Sequence, residues 1–231
     1  MNTDNVSITG ETIDYGPCAF IDAYDPATVF SSIDQQGRYA YGNQPNIGHW
    51  NLCRFAESLL PIIHTDENKA IELAQEAINT YATQYEAVWR QGMAKKLGFT
   101  ERTPDIDQLA DDFLQIMQTT GENYTNSFRA LMRQALPTEF SAWQQRWQSL
   151  IDQQPGGAPA AQALMATANP VIIPRNHLVQ AALDKAEQGS MTRFDELLKA
   201  CATPYDPAHA ASIFAKPPPE NSGPYVTYCG T

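Results

Sequence analysis

The chain has 231 residues, of which 43% are hydrophobic and 18% charged, with fifteen basic against 26 acidic side chains and a formal charge of −11. That composition belongs to a folded chain, and at this length about 70% of the unfolded surface can be buried without disulfide or metal staples. The acidic balance excludes the usual modes of gripping nucleic acid or an anionic membrane, both of which need a basic face, but it leaves nucleotides open, because a divalent cation supplies the missing charge.

Near the start, Val6 and Ile8 alternate with Ser7, Thr9-Gly10-Glu11 offers a turn, and Thr12-Ile13-Asp14 runs back. This pattern predicts a short β-hairpin at the N-terminus, ended by the breaker Tyr15-Gly16-Pro17. A loop-rich stretch follows from Asp22 to Pro45, and loops of that length in compact domains tend to carry function. From Pro45 the periodicity turns helical. Trp50, Leu52, Phe55, Leu59 and Leu60 form an apolar stripe ending near Pro61. Thr65-Asp66-Glu67 opens a long helix bearing Ile71, Ala74, Ile78, Tyr81, Tyr85 and Val88, closed by Gly98. Asp105 caps a further helix with Ile106, Leu109, Phe113 and Met117, and Gly121 follows it. Tyr124, Phe128, Leu131 and Met132 line the next, which stops before Pro137. Glu139 to Ile151 places Trp143 and Trp147 on one face, as core residues.

Gln153-Gln154-Pro155-Gly156-Gly157 reads as a linker, dividing a region 1–152 from a C-terminal extension 153–231. Two more helices are predicted at about Asn176–Gln188 and Met191–Cys201. The tail from Thr203, with Lys216-Pro217-Pro218-Pro219, is expected to be extended and irregular. The fold class expected is mainly α after a small β start. The four cysteines, Cys18, Cys53, Cys201 and Cys229, make no CxxC pair, and the four histidines form no metal-ligand spacing. No run of about 18 apolar residues and no apolar signal core is present, so the expectation is a cytoplasmic protein with no membrane partner.

The segment most informative for chemistry is Met1-Asn2-Thr3-Asp4-Asn5, followed by Asp14-Tyr15-Gly16. Nucleotidyl and phosphoryl transfer need a divalent cation held by hard oxygen ligands near the phosphates. A carboxylate and an amide oxygen at the ends of a short hairpin supply such a pair, and a second carboxylate beside the amide can accept a proton from an attacking hydroxyl. Asp4, Asn5 and Asp14 fit these roles. By spacing alone a turn at Asp4-Asn5 and a solvated strand end at Asp14 is the commoner outcome, since such short matches recur often. Arg38 and Arg54 are candidates for contact with phosphate or for ordinary ion pairing.

Several blocks resemble the selenoprotein O family: Asn2-Thr3-Asp4-Asn5, Thr12-Ile13-Asp14-Tyr15-Gly16-Pro17, Gly37-Arg38-Tyr39-Ala40-Tyr41, Asn43-Gln44-Pro45 with Trp50-Asn51-Leu52, and Asn169-Pro170 with Arg175-Asn176-His177-Leu178-Val179-Gln180. They occur in family order, and the resemblance is to the C-terminal part of the family. It implies a protein-kinase-like C-terminal lobe that takes ATP in a reversed orientation, so that AMP passes to Ser, Thr or Tyr hydroxyls of protein substrates. By the same resemblance Asp4 is the proton acceptor, Asn5 and Asp14 hold magnesium or manganese, and Asp14 also lies near the ATP phosphates.

The family's N-terminal lobe, with its phosphate-covering loop and ion-paired lysine, has no counterpart here. There is no Gly-rich phosphate loop, and none of Lys69, Lys95 or Lys96 is predicted on a strand. The expectation is of a missing N-terminal lobe and an isolated chain with little transferase activity. The alternative is a non-catalytic helical remnant or interaction module. Cys229-Gly230-Thr231 sits where the family carries a selenocysteine or cysteine, which implies a redox role. No neighbouring cation lowers its thiol pKa, and an inert tail thiol fits the composition equally well.

Overall fold

The computed structural model describes residues 6–11, 19–219, 222–223 and 225–227. They are mainly helical, as the periodicity predicts, and among them no sheet forms, only isolated bridges between Ala23 and Asn123 and between Ser31 and Thr227. The predicted hairpin is not seen. Its first arm, Val6 to Ile8, makes no strand, because the Ser7 and Thr9 hydroxyls take the backbone N–H groups of Thr9 and Glu11 that a ladder would have used. The returning arm, Thr12 to Asp14, lies outside the described residues.

Two compact units are distinguished, one built on Pro26–Trp89 and the other on Ala19–Asp25 with Arg90–Tyr225. In the first, a 3-10 turn at Tyr41–Asn43 leads into α1 (Gln44–Ile63), which continues two residues beyond the expected stop at Pro61. Helix α2 (Glu67–Asn79) begins where expected, with the Asp66 carboxylate accepting the Lys69 N–H. The single long helix expected from Thr65 to Gly98 is instead two. It breaks at Thr80, whose hydroxyl donates back to the Ala77 carbonyl at 2.7 Å, and resumes as α3 (Tyr81–Lys96). Its apolar stripe is only partly buried. Ile71, Tyr85 and Val88 are 43%, 39% and 75% exposed, while Ala70 and Ala74 are buried where α1 packs on α2.

The second unit holds the larger core. Helix α4 (Pro104–Thr120) is capped by the Thr103 hydroxyl on Ile106 N–H, with Pro104 at its first position, so the cap falls two residues before the expected Asp105. It ends at Gly121 in the left-handed conformation. Helices α5 (Tyr124–Met132) and α6 (Ser141–Gln153) close over it. Phe113 is fully buried, with ring centroids of Phe128, Phe140 and Trp143 at 5.1, 5.2 and 4.5 Å. Trp143 and Trp147 both lie in this core, as expected, and each indole N–H is satisfied at 2.8 Å by a backbone carbonyl, of Leu109 and Leu97 respectively.

A helix not expected from the sequence, α7 (Gly157–Ala168), follows directly on the predicted linker. Its Pro159 is tolerated because first-turn N–H groups have no helical acceptor. Against α7 the chain passes so closely that a Cβ at Gly98 would stand 2.9 Å from Ala161 Cβ, and Gly98 has a φ of +91°. Glycine alone suits both demands. Helices α8 (Asn176–Glu187) and α9 (Thr192–Cys201) match expectation closely. The tail is more ordered than predicted: 3-10 turns at Pro207–Ala211 and Ile213–Ala215 follow α9, and Ala210, Phe214 and Ala215 pack on Val171, Ile172 and Ala200.

Candidate functional site

Asp4, Asn5, Asp14, Cys18 and Cys229 all lie outside the described residues. Of the sequence blocks singled out above, those at 37–41, 43–52 and 169–180 lie within the described residues. In the block beginning at Gly37, the Asp34 carboxylate gathers the loop by accepting the N–H groups of Gln36, Arg38 and Tyr39 at 3.3, 3.0 and 2.8 Å. Slight burial pushes the Asp34 carboxyl upward, but the several backbone N–H bonds together hold it below the usual value. Gly42 donates to the Pro26 carbonyl at 2.8 Å, and any Cβ there would meet Pro26 Cβ at 2.9 Å, so the turn into α1 requires glycine.

Trp50 corrects an expectation. Periodicity places it on the apolar stripe of the first helix, yet it is 39% exposed and carries two guanidinium groups, Arg38 at 4.5 Å and Arg54 at 5.3 Å from its ring centroid. Arg54 also pairs with Glu57 one turn along α1. The planar, weakly hydrated guanidinium stacks on indole at little desolvation cost, which keeps both cations beside the Trp50 ring.

Lys69, Lys95 and Lys96 are on helices α2 and α3, none on a strand, as expected. Lys96 is the most perturbed of them. Its ammonium lies 4.5 Å from the Phe128 ring centroid and donates to Asn169 Oδ1 at 3.0 Å, and burial lowers its pKa to about 8. His209 bonds the Thr203 hydroxyl at 3.0 Å and His49 lies against Tyr81. Burial lowers the His177 pKa. Cys53 and Cys201 are free thiols, and burial raises the pKa of Cys201, which makes it a poor nucleophile. Among the described residues no group of three His, Cys, Asp or Glu side chains is placed to hold a metal ion.

One polar cluster was missed in the sequence. Arg175 is fully buried and ion-pairs with Asp22, while its other terminal nitrogen donates to Asn126 Oδ1 at 2.9 Å and to the Ala215 carbonyl at 3.3 Å. Next to it, the Asn176 amide bonds both backbone groups of Phe20, accepting the N–H at 2.9 Å and donating to the carbonyl at 2.8 Å. The signal available was the Arg175-Asn176-His177 block itself, polar residues opening a helix after the apolar run Val171-Ile172-Ile173.

Residues 1–202 match the family described as protein adenylyltransferase SelO. A protein nucleotidyltransferase YdiU of Alkaliphilus metalliredigens is 48% identical over 239 residues, covering 100% of this chain and 49% of that protein. The protein of the same name from Clostridium botulinum is 46% identical over 239 residues, with 100% and 49% covered. That of Halalkalibacterium halodurans is 48% identical over 240 residues, again with 100% and 49% covered. The class these names define is protein nucleotidyltransferase. The chain belongs to the protein adenylyltransferase SelO family. It spans about half the length of the curated relatives it matches.

Proposed function

We propose that these residues form the C-terminal part of a protein adenylyltransferase of protein-kinase-like fold, which moves AMP from ATP to Ser, Thr or Tyr hydroxyls of proteins. The observation that carries the reading is the family match over residues 1–202, which runs through Asp4, Asn5 and Asp14. In the proposed reaction the acceptor hydroxyl oxygen attacks the α-phosphorus of ATP. A new P–O bond forms, the bond to pyrophosphate breaks, and Asp4 accepts the hydroxyl proton. An amide oxygen from Asn5 and a carboxylate from Asp14 are the hard donors that magnesium or manganese takes, and Asp14 stands near the phosphates. Such a cation, when bound, offsets the charge of the triphosphate. No helix among the described residues is long and apolar enough to cross a membrane.

Calorimetric titration of the chain with ATP and magnesium tests the site. Binding that is lost with EDTA and in Asp14→Ala supports it. No binding, or equal binding by Asp14→Ala, overturns it in favour of a non-catalytic helical module. Transfer itself depends on positioning of the phosphates; the sequence has no Gly-rich phosphate loop, and among the described residues no lysine lies on a strand. The chain by itself is therefore expected to transfer AMP slowly or not at all. Rapid incorporation of labelled AMP, abolished by Asp14→Ala, would refute that expectation while leaving the site assignment intact.

A further inference from the structure

Within the second unit a cleft of about 300 Å³ opens between the end of α5 and the tail, and three of its lining residues are basic: Arg129, Arg133 and Lys216. In a chain of formal charge −11 that concentration needs a reason. No Asp or Glu lines the cleft, and among the described residues none pairs with these three cations. Arg129 Nε is buried without a hydrogen-bond partner. Burial, and then the neighbouring Arg133 charge, both work against the charged form of Arg129. One cation in the last turn of α5 would suit the negative end of the helix, a contribution of roughly 0.3–1 kcal/mol. A second guanidinium beside it and an ammonium from the tail add repulsion that the helix end does not offset.

The wall also contains an oriented amide. Arg175 donates to Asn126 Oδ1, which fixes that atom as the acceptor and leaves Asn126 Nδ2, a donor, as the other end of the group. Ala215, whose carbonyl is held by the same guanidinium, brings Lys216 to the rim. The cleft thus sets donors and positive charge into a wall otherwise made of Ala130, Ala135, Val171, Ala210, Ala215 and Pro217, and its volume lies at the lower end of small-molecule sites, roughly 300–1,000 Å³.

We propose that the cleft formed by Asn126, Arg129, Arg133 and Lys216 binds the phosphate or diphosphate group of a small molecule. Two forked guanidinium groups match tetrahedral phosphate oxygens, and three cations suit a dianion better than a single carboxylate. The site needs no metal, which separates it from the ATP site proposed above.

The test is calorimetric titration of the full chain with inorganic phosphate and with pyrophosphate, in low-salt buffer containing EDTA. Both should bind in wild type and in Asp14→Ala. Arg133→Gln and Lys216→Gln, at exposed positions, should each weaken binding by about tenfold, with unchanged melting temperature. Tighter binding of pyrophosphate assigns a diphosphate, and equal binding assigns a single phosphoryl group. Acetate at matched ionic strength should not compete. No heat at millimolar phosphate or pyrophosphate overturns the proposal, and so does binding that both glutamine variants leave unchanged.

Discussion

Removing Asp22 should cost the second unit more than any exposed ion pair could. Arg175 is 0% exposed, and the Asp22 side chain is 20% exposed. Burial works against the Arg175 charge, and the Asp22 carboxylate works for it. Asp22→Ala leaves a buried guanidinium with only Asn126 Oδ1 and the Ala215 carbonyl as acceptors. Breaking a buried pair from one side costs about 3–5 kcal/mol, and partial water access through the vacated Asp22 position favours the lower end, about 3 kcal/mol. Against a typical total of about 5–15 kcal/mol that is a large fraction. Urea unfolding followed by fluorescence of Trp143 and Trp147, both in the same unit, reads the loss. Arg175→Met combined with Asp22→Ala should recover part of it, because no uncompensated charge then remains. A loss below about 1 kcal/mol for Asp22→Ala, the range of surface pairs, would refute the reasoning.

Phe113→Ala should cost about 3–5 kcal/mol in the same assay, since three aromatic rings surround a fully buried side chain, and a loss under about 1 kcal/mol would mean the site collapses freely. The Asp34 carboxyl is held below its usual 3.8, so its contribution is complete above that pH and fades as pH falls through the lower folded value. Melting of Asp34→Ala should therefore differ from wild type at neutral pH and converge with it in acid; a constant difference would contradict this. For Lys96 the slope has the same sign but a different cause, burial of the ammonium rather than bonding of a carboxylate. Its folded pKa, about 8, lies below the ordinary lysine value of 10.5, so the unfolded chain binds the proton more tightly and stability rises with pH between those values. Lys96→Met should flatten that slope, and parallel pH–stability curves would rule the effect out.

Much of the helical order was legible because it rests on local devices. The apolar positions Ile106, Leu109, Phe113 and Met117 recur at 3- and 4-residue spacing and are all buried, and the turn after α4 carries the glycine its left-handed conformation needs. What failed were places where one local signal outweighed another. Pro155-Gly156-Gly157 reads as a linker, yet Gly156 is the N-cap and Gly157 the first residue of α7, whose buried face, Ala161 and Met165, is too small to announce itself. Tyr85 and Val88 continue a helical stripe in sequence, but the helix breaks at Thr80 and they remain exposed. Ser7 and Thr9 alternate as in a strand, but their hydroxyls capture the local backbone.

The polar chemistry divides along a different line. Asp4, Asn5 and Asp14 are recognisable within a span of eleven residues, since the donor types and their close spacing are themselves the signal. Arg175 and Asp22 are 153 residues apart, and Arg175 and Asn126 are 49 apart. No periodicity encodes such pairs; only the folded packing of α5, α8 and the loop before Tyr24 brings them together. Burying a guanidinium is costly enough that it persists only with its partners in place. The same guanidinium that closes the core orients Asn126 toward the basic cleft, so the feature least visible in the sequence is the one that supports a binding surface. Loss of Arg175 should accordingly weaken phosphate binding even though Arg175 does not line the cleft, whereas loss of Phe113 should lower stability without that effect.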